Sequence, residues 1–285
     1  MTRLSSESSE LSVPPKNARI AAIQMVSTPR VDENLQVAAR LIDDAVAQGA
    51  QLLALPEYFP IMGLRDTDKL KVREADALEG EGGPIQAFLA KTARRHGVWL
   101  IGGSIPLRAA DPGKVLNSSL VYNPLGERVA RYDKIHLFGF NKGGEHYNES
   151  ATIEAGQQPV ALSTPFGRIG LSICYDIRFP ELYRALGVTD LLVIPAAFTE
   201  TTGRAHWEIL LRARAIENQC YVLAVAQGGL HQNGRETHGN SMLIDPWGSI
   251  LDRKVRGPGV VIGELDHARI AEVRASLPAL GHRVM

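Results

Sequence analysis

Residues 171–182, LSICYDIRFPEL, decide how the rest of the chain is read. The apolar run 169–173 predicts a buried strand that stops at Cys174. Pro180 then stands where a first-turn proline opens a helix running on through Ala185. Cys174 therefore falls on a strand-to-helix turn, a place where a side chain is presented rather than packed. There the positive end of the helix dipole is expected to lower the thiol pKa and favour the thiolate. The alternative is a small buried hydrophobe, the usual state of an unpaired cysteine. This stretch alone leaves both readings open.

Working outward, strands and helices alternate around it. Residues 19–26 and 51–55 predict strands separated by a helix over 32–48, with Leu35, Ala38, Ala39, Ile42 and Val46 on one face. A second helix is expected over 84–96, ended by Gly97, and a third strand over 98–101. Residues 117–122 and 128–136 read as a hairpin across the turn 123–126. The stretch 137–159 shows little periodicity and reads as a long functional loop. After Cys174 come a strand over 190–194, a helix over 204–218, a strand over 221–226, a hairpin over 238–253, a last strand over 260–264 and a short helix over 268–275. Hairpins interleaved with helices predict an α/β fold with mixed sheets. Residues 1–18 read as a flexible leader and 19–285 as one domain.

Composition excludes several classes of function. The 31 basic and 31 acidic residues balance, which argues against a nucleic-acid partner. No apolar run reaches the roughly 20 residues that span a bilayer, and the first residues lack an apolar signal segment. Cys174 and Cys220 are the two cysteines, too few for a disulfide framework and suited to the cytoplasm. The eight histidines show no metal-ligand spacing, so neither metal nor organic cofactor is expected.

Three polar residues recur at or near the ends of apolar strands, where open α/β sheets place their ligands. Glu57 follows LLALP, Lys134 lies in RYDKIHLF, and Cys174 follows IGLSI. Together they make an acyl-transfer set. Glu57 could take the thiol proton, the sulfur could attack a carbonyl, and Lys134 with the Tyr175 N–H could hold the oxyanion. A structural ion pair between Glu57 and Lys134 is the competing reading. A Cys–His dyad using His136 or His146 is the competing mechanism.

LALPEYF, YDKIHLF and SICYDIRFPEL, in this order, resemble the three signatures of the nitrilase superfamily of carbon–nitrogen hydrolases. HWEILLRARAIENQCYVLAVAQ (206–227), HGNSMLIDPWG (238–248) and LPALGHR (277–283) resemble its Nit branch, the amidases similar to deaminated glutathione amidase and ω-amidase. The resemblance implies a four-layer α-β-β-α sandwich and a Glu57–Lys134–Cys174 triad. It also implies a second glutamate, matched by Glu149, that orients Lys134 and the attacked amide or water. The loop GFNKGGEHYNES (139–150) is slightly shorter than the branch pattern, with Gly139 and Phe140 where an Asp is usual.

The implied reaction is amide hydrolysis to acid and ammonia through a thioester at Cys174. Deaminated glutathione is the expected substrate. The alternatives are α-ketoglutaramate-type substrates, N-carbamoyl amino acids, and a relic kept only for binding. A substrate carboxylate calls for a cationic or N–H-rich pocket. Arg178, Thr199 and Tyr58 are its candidates, with a structural pair to Asp176 or Glu181 as the other reading of Arg178. The branch implies a homodimer through the helices after Cys174 and over 204–218, with Trp207 and Tyr183 as anchors.

Overall fold

Along residues 18–24 alternate side chains take opposite faces, and both faces are buried. Ala18, Ile20 and Ala22 join one apolar cluster while Ala21 and Ile23 join another. A strand buried on both sides is the centre of a layered fold. This strand is β1 (Ala18–Gln24) of a computed structural model that describes residues 15–78 and 82–284.

The first half of the chain continues through α1 (Val31–Ala47), β2 (Leu52–Ala54), α2 (Pro84–His96), β3 (Trp99–Ile101), β4 (Ile105–Arg108), β5 (Val115–Tyr122) and β6 (Arg128–Asp133). Next come β7 (Gly139–Lys142), β8 (Glu145–Asn148) and β9 (Ile153–Glu154). The second half holds β10 (Ala161–Thr164), β11 (Gly167–Leu171), α3 (Pro180–Ala185), β12 (Leu191–Ala196), α4 (Glu200–Asn218) and β13 (Tyr221–Ala226). It ends with β14 (Ser241–Ile244), β15 (Ile250–Lys254), β16 (Gly259–Leu265) and α5 (His267–Ser276).

Two mixed sheets result. One runs β16-β1-β2-β3-β5-β4, with β6 and β9 also pairing with β5; the other runs β10-β11-β12-β13-β14-β15. β1, β2 and β3 are mutually parallel, as are β11, β12 and β13, and the flanking strands are antiparallel. The inner faces share one apolar core, which joins Ile20, Leu52 and Ala54 to Val193, Leu223 and Leu243. The outer face of the first sheet packs on α1 and α2 through Ile42, Leu53, Leu89 and Leu100. α3 and α4 cover the second sheet through Leu182, Leu211 and Ala215. The order of layers is α-β-β-α. No helix among the described residues is long and apolar enough to cross a membrane.

Two expectations are corrected. The stretch 137–159 is not an aperiodic loop: β7 and β8 form a hairpin turning on Gly143 and Gly144, both at positive φ. A Gly-Gly pair flanked by Lys142 and Glu145 is itself a two-residue hairpin signal. Trp207 and Tyr183 are not free to anchor a partner. Both are fully buried, the indole N–H donating to Asn240 O (2.9 Å) and the phenol to Ser172 Oγ (2.9 Å). Of the expected leader, residues 1–14 lie outside the described residues. Lys16 N–H donates to Pro165 O (2.8 Å) and β1 already includes Ala18.

The loops after β2 and β3 brace each other at the end of the first sheet. Ser104 Oγ accepts from Tyr58 N–H (3.1 Å), and Gly103, at φ +55°, lies flat against the backbone before Glu57. A Cβ there would sit 2.2 Å from Pro56 O and 2.6 Å from Leu55 O. Gly103→Ala is therefore expected to cost more than about 1 kcal/mol, since clash and positive φ act together. Denaturant unfolding checks it, and an unchanged midpoint would contradict this account of the loop.

Candidate active site

Three of the parallel strands end by delivering a residue to the same place. Glu57 stands just past β2, Cys174 just past β11 and Ala197 directly after β12. Lys134 follows β6 and still pairs through its N–H with Asn117 O (2.9 Å) of β5. Lys134 and Glu57 are completely buried.

The Lys134 ammonium donates to Glu57 Oε1 (2.9 Å) and to Glu149 Oε2 (2.7 Å). Glu57 is held at both oxygens, accepting from Asn117 Nδ2 (3.0 Å) on Oε1 and from Ala197 N–H (2.9 Å) on Oε2. Glu149 opens a short turn after β8. It accepts from Phe138 N–H (2.7 Å) and from the Tyr58 hydroxyl (2.8 Å). Burial alone would favour a neutral amine at Lys134, but Glu149 and then Glu57 override it and raise the pKa. Burial pulls Glu149 the other way, and Lys134 with the N–H and O–H donors keeps it an anion, its pKa lowered.

Cys174 is buried at φ +52°, in the left-handed region that disfavours side chains, and opens the tight turn Cys174–Arg178. Asp176 fastens that turn. Its carboxylate accepts from Ile173 N–H (2.8 Å), Tyr132 OH (2.7 Å) and His136 N–H (3.0 Å), and lies 2.8 Å from His136 Nδ1. Because Tyr132 and His136 flank Lys134, Asp176 ties the Cys174 turn to the segment that carries the ammonium. His136 bonds Asp176 through Nδ1 and stacks on Phe179 with ring centroids 3.7 Å apart. It does not line the cavity that Cys174 faces, which gives the dyad reading of His136 no support.

The thiol faces a small cavity walled by Phe138, Glu149, Tyr175, Ala197, Thr199 and Arg235. Beyond it opens a cavity of about 360 Å³ lined by Tyr58, Lys69 and Tyr147 among others, with Phe138, Glu149 and Arg235 common to both. Thr199 faces the inner cavity while its hydroxyl caps α4, accepting from Thr202 N–H (3.2 Å). Arg178 lines neither cavity. It lies against the rings of Tyr175 and Phe198 beside His206 Nδ1 (3.3 Å) rather than pairing with Asp176 or Glu181. The sequence reading missed Asn117, Ala197 and Arg235, which carry no motif of their own, and it saw in Asp176 only a partner for Arg178.

A family model described as carbon–nitrogen hydrolase matches residues 19–275. A Synechocystis protein named deaminated glutathione amidase is 49% identical over 270 residues, covering 93% of this chain and 97% of that one. A Yersinia enterocolitica protein of the same name is 38% identical over 272 residues, covering 94% and 93%. The crystal structure of Saccharomyces cerevisiae Nit3, of the nitrilase superfamily, superposes with a TM-score of 0.82 at 30% identity, covering 92% of this chain and 94% of that one. The chain belongs to the carbon–nitrogen hydrolase family. The layered fold of this hydrolase matches its superfamily neighbours, and amides are the bonds it acts on.

The expectation of a lowered thiol pKa is corrected. In the hydrolase burial pushes Cys174 well up, Glu57 and Glu149 add to it, and Lys134 opposes only in part. Burial thus favours the neutral thiol over the thiolate. Alkylation by iodoacetamide, read against Cys174→Ala, is expected to keep rising beyond about pH 9, past the ~8.5 of a free thiol. A plateau below about pH 7 would contradict it.

Lys134→Met would leave Glu57 and Glu149 facing each other in a buried site. It is expected to lose roughly 3–5 kcal/mol of stability, measured by urea unfolding.

Proposed function

We propose that this hydrolase is a cysteine amidase cleaving a carboxylate-bearing amide, with deaminated glutathione as its substrate. The observation that carries the mechanism is the buried Lys134 ammonium, bonded to both Glu57 and Glu149 beside the cavity that holds Cys174. In this reading Glu57 takes the Sγ proton as sulfur bonds to the carbonyl carbon. Lys134 and the Tyr175 N–H hold the tetrahedral oxyanion. Collapse breaks the C–N bond, and the amine leaves with the proton from Glu57. Water then adds to the thioester, giving its proton to Glu57, and the acid departs as that proton returns to sulfur. Glu149 fixes Lys134 and, through Tyr58, the wall of the outer cavity.

The substrate rests on the relatives that carry its name, and the outer cavity of about 360 Å³ has room for a leaving group larger than ammonia. In deaminated glutathione the γ-carbonyl is joined to the cysteine nitrogen, so cleavage there releases cysteinylglycine, which corrects the expectation of ammonia from this substrate. Ammonia is the leaving group for a primary amide such as α-ketoglutaramate.

The protein is further proposed to be one catalytic domain, cytoplasmic and homodimeric. Its two unbridged cysteines suit a reducing compartment, and exposed Ile209 and Ile216 on α4 offer apolar contact in place of Trp207.

The test compares kcat/KM for deaminated glutathione, followed as cysteinylglycine, with that for α-ketoglutaramate, followed as ammonia. Cys174→Ala serves as the control. Deaminated glutathione is expected to win by at least about tenfold, some 1.4 kcal/mol of transition-state preference. A preference for α-ketoglutaramate would make the enzyme an ω-amidase instead.

A further inference from the structure

Arg235 stands in the connection between β13 and β14, with no motif around it and no role in the mechanism above. One guanidinium nitrogen donates to Ala197 O (2.7 Å), and the group lies 5.0 Å from the centre of the Tyr147 ring. Its Nε is buried and has no hydrogen-bond partner among the described residues. Nor does any carboxylate among them form an ion pair with Arg235. Such an arrangement is costly: Arg235 is half-buried with no anion paired to it among these residues, and a buried N–H normally has an acceptor.

The other charges of the site are spoken for or lie farther out. Glu57 and Glu149 are engaged by Lys134, and Glu145 bonds Thr201. Lys69 donates to Thr152 Oγ1 (3.1 Å), while Arg65 and Asp66 line the outer cavity. Arg235 walls both cavities, so a molecule reaching from the outer one to Cys174 passes it. Arginine's planar fork matches a carboxylate with two parallel bonds.

We propose that Arg235 receives a carboxylate of the amide substrate at the neck between the outer cavity and Cys174. This takes the place expected for Arg178, which lines neither cavity. The inference rests on the amidase reading for the atom attacked, but the binding it describes does not depend on turnover. The carboxylate belongs either to the acyl part, which stays on Cys174 as the thioester, or to the amine that leaves.

The test measures iodoacetamide alkylation of Cys174 in the full-length protein with one of three additives. Glutarate stands for the acyl-side carboxylate, alanylglycine for the leaving-side carboxylate, and 1,5-pentanediol is the uncharged control. One of the acids is expected to slow alkylation about fivefold or more, the diol much less, and the identity of that acid names the source. In Arg235→Gln the protection should vanish, and Arg235→Lys should keep part of it. Equal protection by acid and diol in the wild-type protein overturns the proposal whether or not any variant folds. So does full protection in a folded Arg235→Gln. Because no turnover is needed, a wrong substrate assignment would leave this readout intact.

Discussion

A single buried cation organises this molecule. Lys134 has no access to water, and its charge is sustained only because Glu57 and Glu149 reach it from two different parts of the chain. Glu57 comes from the end of β2 in the first sheet, Glu149 from the turn after the β7–β8 hairpin. The peptide that completes the cage, Ala197, belongs to the second sheet. Taking so much charge out of water is favourable only when every oxygen and proton finds a partner. That requirement fixes where the two sheets and the hairpin must meet.

The same burial sets the chemistry of the sulfur. Removal from water is the main penalty on the thiolate; Glu57 and Glu149 add to it, and Lys134 works against them. The turn after Cys174 is too short for a helix dipole to compensate. In the proposed mechanism reactivity comes from a base that moves the proton during attack, and Glu57, the base proposed, is held at both oxygens. Fixing costs the protein strain as well. Cys174 and Tyr58, each next to a chemically active group, hold left-handed backbone that neither side chain prefers. Asp176 and Ser104 supply the hydrogen bonds that keep these turns closed.

Local sequence was enough to place β1, α2, β13 and the strand–turn–proline arrangement around Cys174, because periodicity and caps act between near neighbours. It also named Glu57, Lys134, Cys174 and Glu149, through motifs that resemble a family. It misread the β7–β8 hairpin, where two strands of four residues carry too little alternation to outweigh their polar composition. α4 begins at Glu200 because Thr199 caps it, a signal present in the sequence but overlooked.

The sequence by itself determined the order of the main helices and strands and marked the side chains to which the proposed chemistry is assigned. Only the tertiary structure decided the state of those side chains. Whether Cys174 is a thiol or a thiolate, whether Arg178 or Arg235 faces the cavities, and what Asp176 and Asn117 hold depend on residues distant along the chain. The Asn117–Glu57 bond spans 60 positions and the Ala197–Glu57 bond 140. Burial and charge are sums over all neighbours in space, and a one-dimensional pattern records only the nearest of them.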